Sequence, residues 1–296
     1  DQGSAGYLVT MIVYLWPLVA FLPTLFPFKK SLENEKDPQW TTYAVCACCA
    51  LFCCNCEQIC VAAIMTWGMI VLYTYLQSKR INKLYCMLLL IAFAHLVFIT
   101  TCPGNTARTA SEITHLPSFE NFSFIRKIGL CIGSPIVKYM VVTWQSLIVW
   151  AFSIILPLTV FLKNKKAYIP LLVSLIPFGL LLYSFIKFDP IFTILHETTA
   201  SQLAFICATS IAFYGSIFFS LCYIGKDEES IIAKYGPLFI FFVGFTTRAC
   251  LGITISFLEM ARTFFLLEYA MIAISIMFMT RHISNWTGKS KKVNLV

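Results

Sequence analysis

Apolar runs long enough to cross a bilayer follow one another from one end of this 296-residue chain to the other, broken only by short polar stretches. A membrane span needs about 20 consecutive apolar residues. In lipid the backbone must satisfy its own hydrogen bonds, so runs of this kind fold as helices. The runs are continuous rather than alternating, which excludes the strand pattern of an outer-membrane barrel. Composition agrees: 59% of residues are hydrophobic, 12% are charged and the mean hydropathy is +0.79. A soluble domain carries about 25% charged residues. The expectation is an all-α polytopic transmembrane bundle, forming a single transmembrane domain over 1–296.

Nine spans are predicted, at 6–28, 40–56, 59–76, 84–101, 140–162, 168–186, 202–225, 231–245 and 249–280. The stretch 40–76 is too long for one crossing at about 1.5 Å per residue, so a tight turn is placed at Glu57. The same argument places a turn at Thr246-Thr247-Arg248. The first span is reached within a few residues of Asp1, with neither a basic n-region nor a cleavage site, so it is not a signal peptide. The chain lacks an initiator Met, and the expectation is the C-terminal portion of a longer protein.

The net charge of +8 is distributed as in a membrane protein rather than a nucleic-acid binder. One set of breaks holds Lys29, Lys30, Lys36, Lys79, Arg80, Lys83, Lys163, Lys165, Lys166, Lys226 and Lys234, with Arg281, Lys289, Lys291 and Lys292 in the tail. The alternate set holds fewer: Arg108, Arg126, Lys127, Lys138, Lys187 and Arg248. The positive-inside rule puts the first set, and the C-terminus, in the cytoplasm and the N-terminus outside.

On this topology the largest outer loop is 102–139. Within it, 118–128 (SFENFSFIRKI) mixes aromatic and basic residues as a short interfacial helix does. The second outer loop, 187–201, carries Asp189-Pro190 and His196-Glu197. A solvated loop is the plainer reading of that His-Glu pair, since two residues do not make a metal site.

The most specific local feature is Cys102-Pro103-Gly104-Asn105-Thr106-Ala107-Arg108. Pro-Gly enforces a turn, Asn105 can hydrogen-bond a ligand hydroxyl, and the Arg108 guanidinium can grip a phosphate. The plainer alternative is a helix-ending turn whose arginine meets lipid headgroups. Glu57 at its turn can pair with an arginine, structurally or in a site. Glu259 and Arg262 sit three apart and share a helix face, with Glu268 following. They mark either a cavity in a span or an interfacial stretch ahead of it. His95 is expected to make an interhelical hydrogen bond.

The cysteines Cys46, Cys48, Cys49, Cys53, Cys54, Cys56 and Cys60 crowd one stretch without metal-site spacing, and are read as small packing residues. No metal or cofactor is expected. The sequon matches at Asn121 and Asn285 are short enough to arise by chance. Walker, GxGxxG and HExxH motifs are absent.

The Pro103-Gly104-Asn105-x-x-Arg108 turn after an apolar span resembles a family of bacterial multispanning proteins similar to GT-C-type glycosyltransferases, including O-antigen-modifying glucosyltransferases. Thr247-Arg248-Ala249-Cys250-Leu251-Gly252 resembles the family's Arg-Ala-x-x-Gly stretch, without the proline or acidic residue that usually precedes it. The resemblance implies a bacterial inner-membrane enzyme of uncharacterised specificity. It would pass a sugar from a polyprenyl-phosphate donor to a glycan acceptor of the cell envelope. Asn105, Arg108, Arg248 and Glu57 would be substrate-binding residues. The superfamily's base lies in a first outer loop upstream of Asp1, so no catalytic residue is assigned. The competing classes are a transporter or flippase of lipid-linked glycans and a non-catalytic membrane subunit. Partners are membrane lipids, the polyprenyl-phosphate sugar and the glycan acceptor, with no nucleic acid.

Overall fold

The computed structural model describes residues 11–28, 38–104, 121–127, 147–187, 200–250 and 264–286, together with 107, 110, 129 and 133. Among them all regular structure is helical. Four helices are long and apolar enough to cross a membrane, namely Glu57–Ser78, Lys83–Thr101, Ala204–Gly225 and Phe265–His282. Shorter apolar helices cover Ile12–Phe28, Trp40–Cys53, Leu147–Lys163 and Tyr168–Tyr183. The chain is a helical membrane protein.

The chain divides into two compact units, Asp1–Arg108 with Lys292–Val296 and Thr109–Lys291. In the first unit a π turn (Met11–Leu15) leads into α1 (Trp16–Phe21) and a 3₁₀ turn (Leu22–Leu25). Then come α2 (Trp40–Cys53), α3 (Glu57–Ser78) and α4 (Lys83–Thr101). The turn expected at Glu57 is found at Cys54–Cys56, and Glu57 opens α3, where its carboxylate suits the positive end of the helix dipole. Lys79 closes α3 in the left-handed region, with φ of 55°. Asn82 caps α4 by accepting from the Tyr85 N–H at 3.4 Å.

The core of this unit is tied by hydrogen bonds through Thr24. Its hydroxyl donates to the Phe21 carbonyl at 2.6 Å and accepts from Trp67 Nε1 at 3.1 Å, while its carbonyl accepts from the Tyr85 hydroxyl at 2.9 Å. Cys46, Cys53, Cys54, Cys56 and Cys60 are buried as packing residues. The Cys60 thiol also reaches the Ala92 carbonyl of α4 at 3.4 Å. His95 donates through Nδ1 to the Ile91 carbonyl at 3.1 Å, so it is satisfied within its own helix and not across helices as expected. A side chain one turn along meets the i−4 carbonyl before it meets a neighbour.

The second unit is built on α5 (Leu147–Lys163), α6 (Tyr168–Lys187), α7 (Ala200–Gly225), α8 (Ile231–Cys250) and α9 (Phe265–Trp286). Consecutive helices pack on one another from α5 to α9, and α9 returns against α5. Pro157, Pro177 and Pro237 lie inside α5, α6 and α8. Neighbouring helices make such prolines tolerable in a membrane bundle. Buried hydroxyls are satisfied locally: Ser153 donates to Val149, Ser210 to Ile206 and Ser220 to Ser216, each at 2.7 Å. The aromatic core joins Phe152, Phe213, Tyr214 and Phe241.

One end of this unit collects charge. Lys163, the last residue of α5, donates to the Tyr223 and Ile224 carbonyls at the end of α7, both at 2.8 Å, and pairs with Asp227 at 2.9 Å. Arg281, late in α9, pairs with Glu228. Charged groups assigned to one side by sign alone, Lys163, the 226–230 break and Arg281, therefore meet at one end of the bundle.

The turn expected at Thr246-Thr247-Arg248 is corrected by the structure. α8 runs unbroken to Cys250, and Thr247 donates its hydroxyl to the Gly244 carbonyl at 2.9 Å. Short polar side chains that find a partner on the preceding turn do not need the helix to end.

Candidate functional site

Of the substrate-binding residues read from sequence, Asn105 and Arg108 lie outside the described residues, as do the polar residues His196, Glu197, Glu259 and Arg262. The break that precedes Asn105 is visible: α4 ends at Thr101, and Cys102 is extended ahead of Pro103, as the residue before a proline favours. Glu57 is half-buried in the first unit. Arg248 belongs to the second, so each stands within its own unit.

Arg248 is the one that structure makes unusual. Its exposure is 0%, the deepest burial of any charged residue described. It lies in the last turn of α8, about 25 Å of helix rise beyond Ile231 and thus far from the Lys163–Asp227 end. Side chains on a helix lean toward its N-terminus, which carries the guanidinium back into the bundle rather than out toward solvent. Its guanidinium carbon stands 4.4 Å from the centre of the Phe264 ring, just ahead of α9. A desolvated cation on an aromatic face gains about 2 kcal/mol or more.

The approach of α9 to α8 is set by Gly244, one turn before Arg248. A Cβ at that position would lie 3.0 Å from both Ala270 Cβ and Leu267 Cα. Small residues permit this closeness between membrane helices. On the other side stands α7, whose Tyr214 packs on the α8 face that carries Arg248. Its ring centre is 4.7 Å from Phe245 and 6.3 Å from Phe241. Positions 241, 245 and 248 follow the four-and-three spacing of one helix face. Tyr214 is 3% exposed. Its hydroxyl has no hydrogen-bond partner among the described residues.

The segment 121–127 belongs to the same unit. Phe122 packs against its core, and the Arg126 guanidinium carbon lies 3.9 Å from the Phe122 ring centre. Ser123 caps a short turn by accepting from the Arg126 N–H at 3.3 Å. Cys207, in the first third of α7, reaches the Gly129 carbonyl at 3.5 Å.

No protein-family model, curated protein or solved structure matches this chain. The site therefore rests on its own geometry: a buried guanidinium, an aromatic wall and a buried phenol. Sequence reasoning found the first and missed the last. Tyr214 sits in an apolar run (IAFYGSIFFS) that reads as core. Among the described residues no three of His, Cys, Asp and Glu are placed to hold a metal ion.

Proposed function

We propose that this chain is a membrane glycosyltransferase that passes a sugar from a polyprenyl-phosphate donor to a cell-surface glycan, in a bacterial inner membrane. The observation that carries the reading is the wholly buried Arg248 inside a membrane bundle. An ionisable group so placed is expensive and marks a functional site by default. Transfer from a lipid phosphate leaves negative charge on the departing phosphate, and a desolvated guanidinium meets that need. Asn105, Arg108 and Glu57, of the first unit, are substrate-binding residues in this reading through the motif and turn they belong to. Nine crossings, with the N-terminus outside and the Lys163–Arg281 end cytoplasmic, belong to this reading.

One feature favours a second reading. The burial of Arg248 also suits a transporter or flippase, in which an ionisable group inside a bundle lines the substrate path. The test uses purified protein in proteoliposomes with a radiolabelled polyprenyl-phosphate sugar and a glycan acceptor. Label should pass to the acceptor with wild type, and Arg248→Ala and Arg108→Ala should each abolish transfer at equal protein level. Transfer undiminished in both variants defeats the reading. Label that crosses the bilayer on an unaltered lipid replaces it with transport.

A further inference from the structure

Two of the cations at the charged end of the second unit are already matched. An ammonium has three N–H donors, and Lys163 gives them to the Tyr223 carbonyl, the Ile224 carbonyl and Asp227. Arg281 is matched by Glu228. The Lys163 contacts hold the α5–α6 turn, with Lys165 and Lys166, against the α7–α8 turn, where Lys226 adjoins Asp227. The first turn of α8 joins them, since the Lys234 carbonyl occupies the place that a Cβ on Gly225 would take. Among the described residues Lys165, Lys166, Lys226 and Lys234 have no ion pair, and Glu229 is the carboxylate left in these turns. Lys165, Lys166 and Lys226 are exposed.

A surplus of positive charge at one end of a membrane bundle attracts an anionic partner, and the aromatic residues beside it say which. The Lys165 ammonium lies 6.0 Å from the centre of the Phe161 ring, and the Lys234 ammonium 5.4 Å from that of Tyr235. Phe161 and Tyr235 are themselves 41% and 50% exposed, and Tyr168, which opens α6, is 70% exposed. A polyanion in the aqueous phase serves the lysines and leaves the rings uncovered. A phospholipid serves both, its phosphate meeting the ammonium groups and its glycerol and upper acyl chain covering the rings. Lysine stems and aromatic rings share the bilayer interface in this way.

We infer that this end of the second unit is a binding surface for anionic phospholipid headgroups. Lys165, Lys166, Lys226 and Lys234 are the headgroup ligands, and Phe161, Tyr168 and Tyr235 border the acyl region. Lys163 and Arg281 brace the surface from behind. The surface is independent of Arg248, which lies in the last turn of α8.

The test places the full chain in phosphatidylcholine vesicles doped with phosphatidylglycerol or phosphatidylcholine carrying a photoactivatable headgroup, and maps the cross-links by peptide mass spectrometry. At low salt the phosphatidylglycerol probe should label 161–168 and 223–235 about fivefold more than the phosphatidylcholine probe, the contribution of one lysine at an anionic lipid surface. High salt should remove the preference without any substitution. Gln at all four lysines should abolish it, and Arg at all four should keep it, with the unfolding temperature unchanged in both sets. Equal labelling by the two probes in wild type overturns the inference, as does a preference that survives high salt or the Gln set. Retention of polyaspartate by a wild type that shows no lipid preference would give the surface to an acidic protein, and overturns it too.

Discussion

The guanidinium carbon of Arg248 lies 4.4 Å from the centre of the Phe264 ring, so a cation buried in a membrane bundle is held against an aromatic face. This pairing predicts an ordered series. Phe264→Leu keeps an apolar side chain and removes the ring, and should destabilise the chain by about 2 kcal/mol. Phe264→Ala adds a cavity and should cost about 3–5 kcal/mol. Phe264→Trp, if the larger ring is accommodated, should keep the contact. Unfolding in mixed detergent and SDS micelles measures each. Wild-type stability in Phe264→Leu, with the loss confined to Phe264→Ala, would mean that packing volume alone matters here.

Gly244 lets α9 come close enough to bring Phe264 over Arg248. An added methyl would stand 3.0 Å from Ala270 Cβ and Leu267 Cα, and 3.1 Å from the Leu266 carbonyl. Gly244→Ala should therefore cost about 1–3 kcal/mol, the range for overpacking, and Gly244→Val more. Wild-type stability in Gly244→Val would show that the two helices have room to spare.

Much of this architecture was legible because charge is so rare in the chain. The breaks at Lys79–Lys83, Lys163–Lys166 and Lys226–Ser230 each interrupt an apolar run, and each separates two helices in the structure. The side assignment of Lys163, the 226–230 break and Arg281 came from sign alone, and these groups do share an end. The turn at Thr246–Arg248 follows from the length of the run alone, and length does not fix where a helix ends: α8 continues through these residues, with Thr247 satisfied one turn back. Tyr214 was invisible for the opposite reason. Nothing in IAFYGSIFFS distinguishes a phenol packed on the α8 face that carries Arg248 from any other core residue, and only the packing of α7 on α8 places it.

In the first unit, Thr24 joins three segments through one residue. Thr24→Val keeps the shape and deletes the acceptor for Trp67 Nε1, leaving a fully buried indole N–H unmatched. The expected cost is about 1–3 kcal/mol, the penalty for a stranded donor. Thr24→Ser should recover most of it. Tyr85→Phe, which removes the donor to the Thr24 carbonyl, should cost about 1 kcal/mol. Thermal unfolding with Trp fluorescence reports directly on Trp67. A Val variant as stable as wild type would dissociate the hydrogen bond from the stability of this unit.

At the charged end, Lys163 and Asp227 make stability depend on pH in a defined sense. The hydrogen bond and the charge of Lys163 hold the Asp227 carboxyl below its ordinary value of 3.8. The unfolded chain, whose carboxyl takes up its proton at the ordinary value, therefore binds more protons than the folded one through that range, so stability rises with pH there. The contribution is complete above the ordinary carboxylate value and is lost as pH falls through the lower, folded one. Asp227→Asn should flatten this acid limb and leave the shape of the curve at neutral pH unchanged. The carboxylate is fully exposed, so the effect should also shrink in high salt. Lys163→Met goes further, because the ammonium also serves the Tyr223 and Ile224 carbonyls at 2.8 Å. It should cost about 1–3 kcal/mol at neutral pH, where Asp227→Asn costs less. If the two variants were equal at neutral pH, the carbonyl contacts would carry nothing and the ion pair alone would hold α5 to the end of α7.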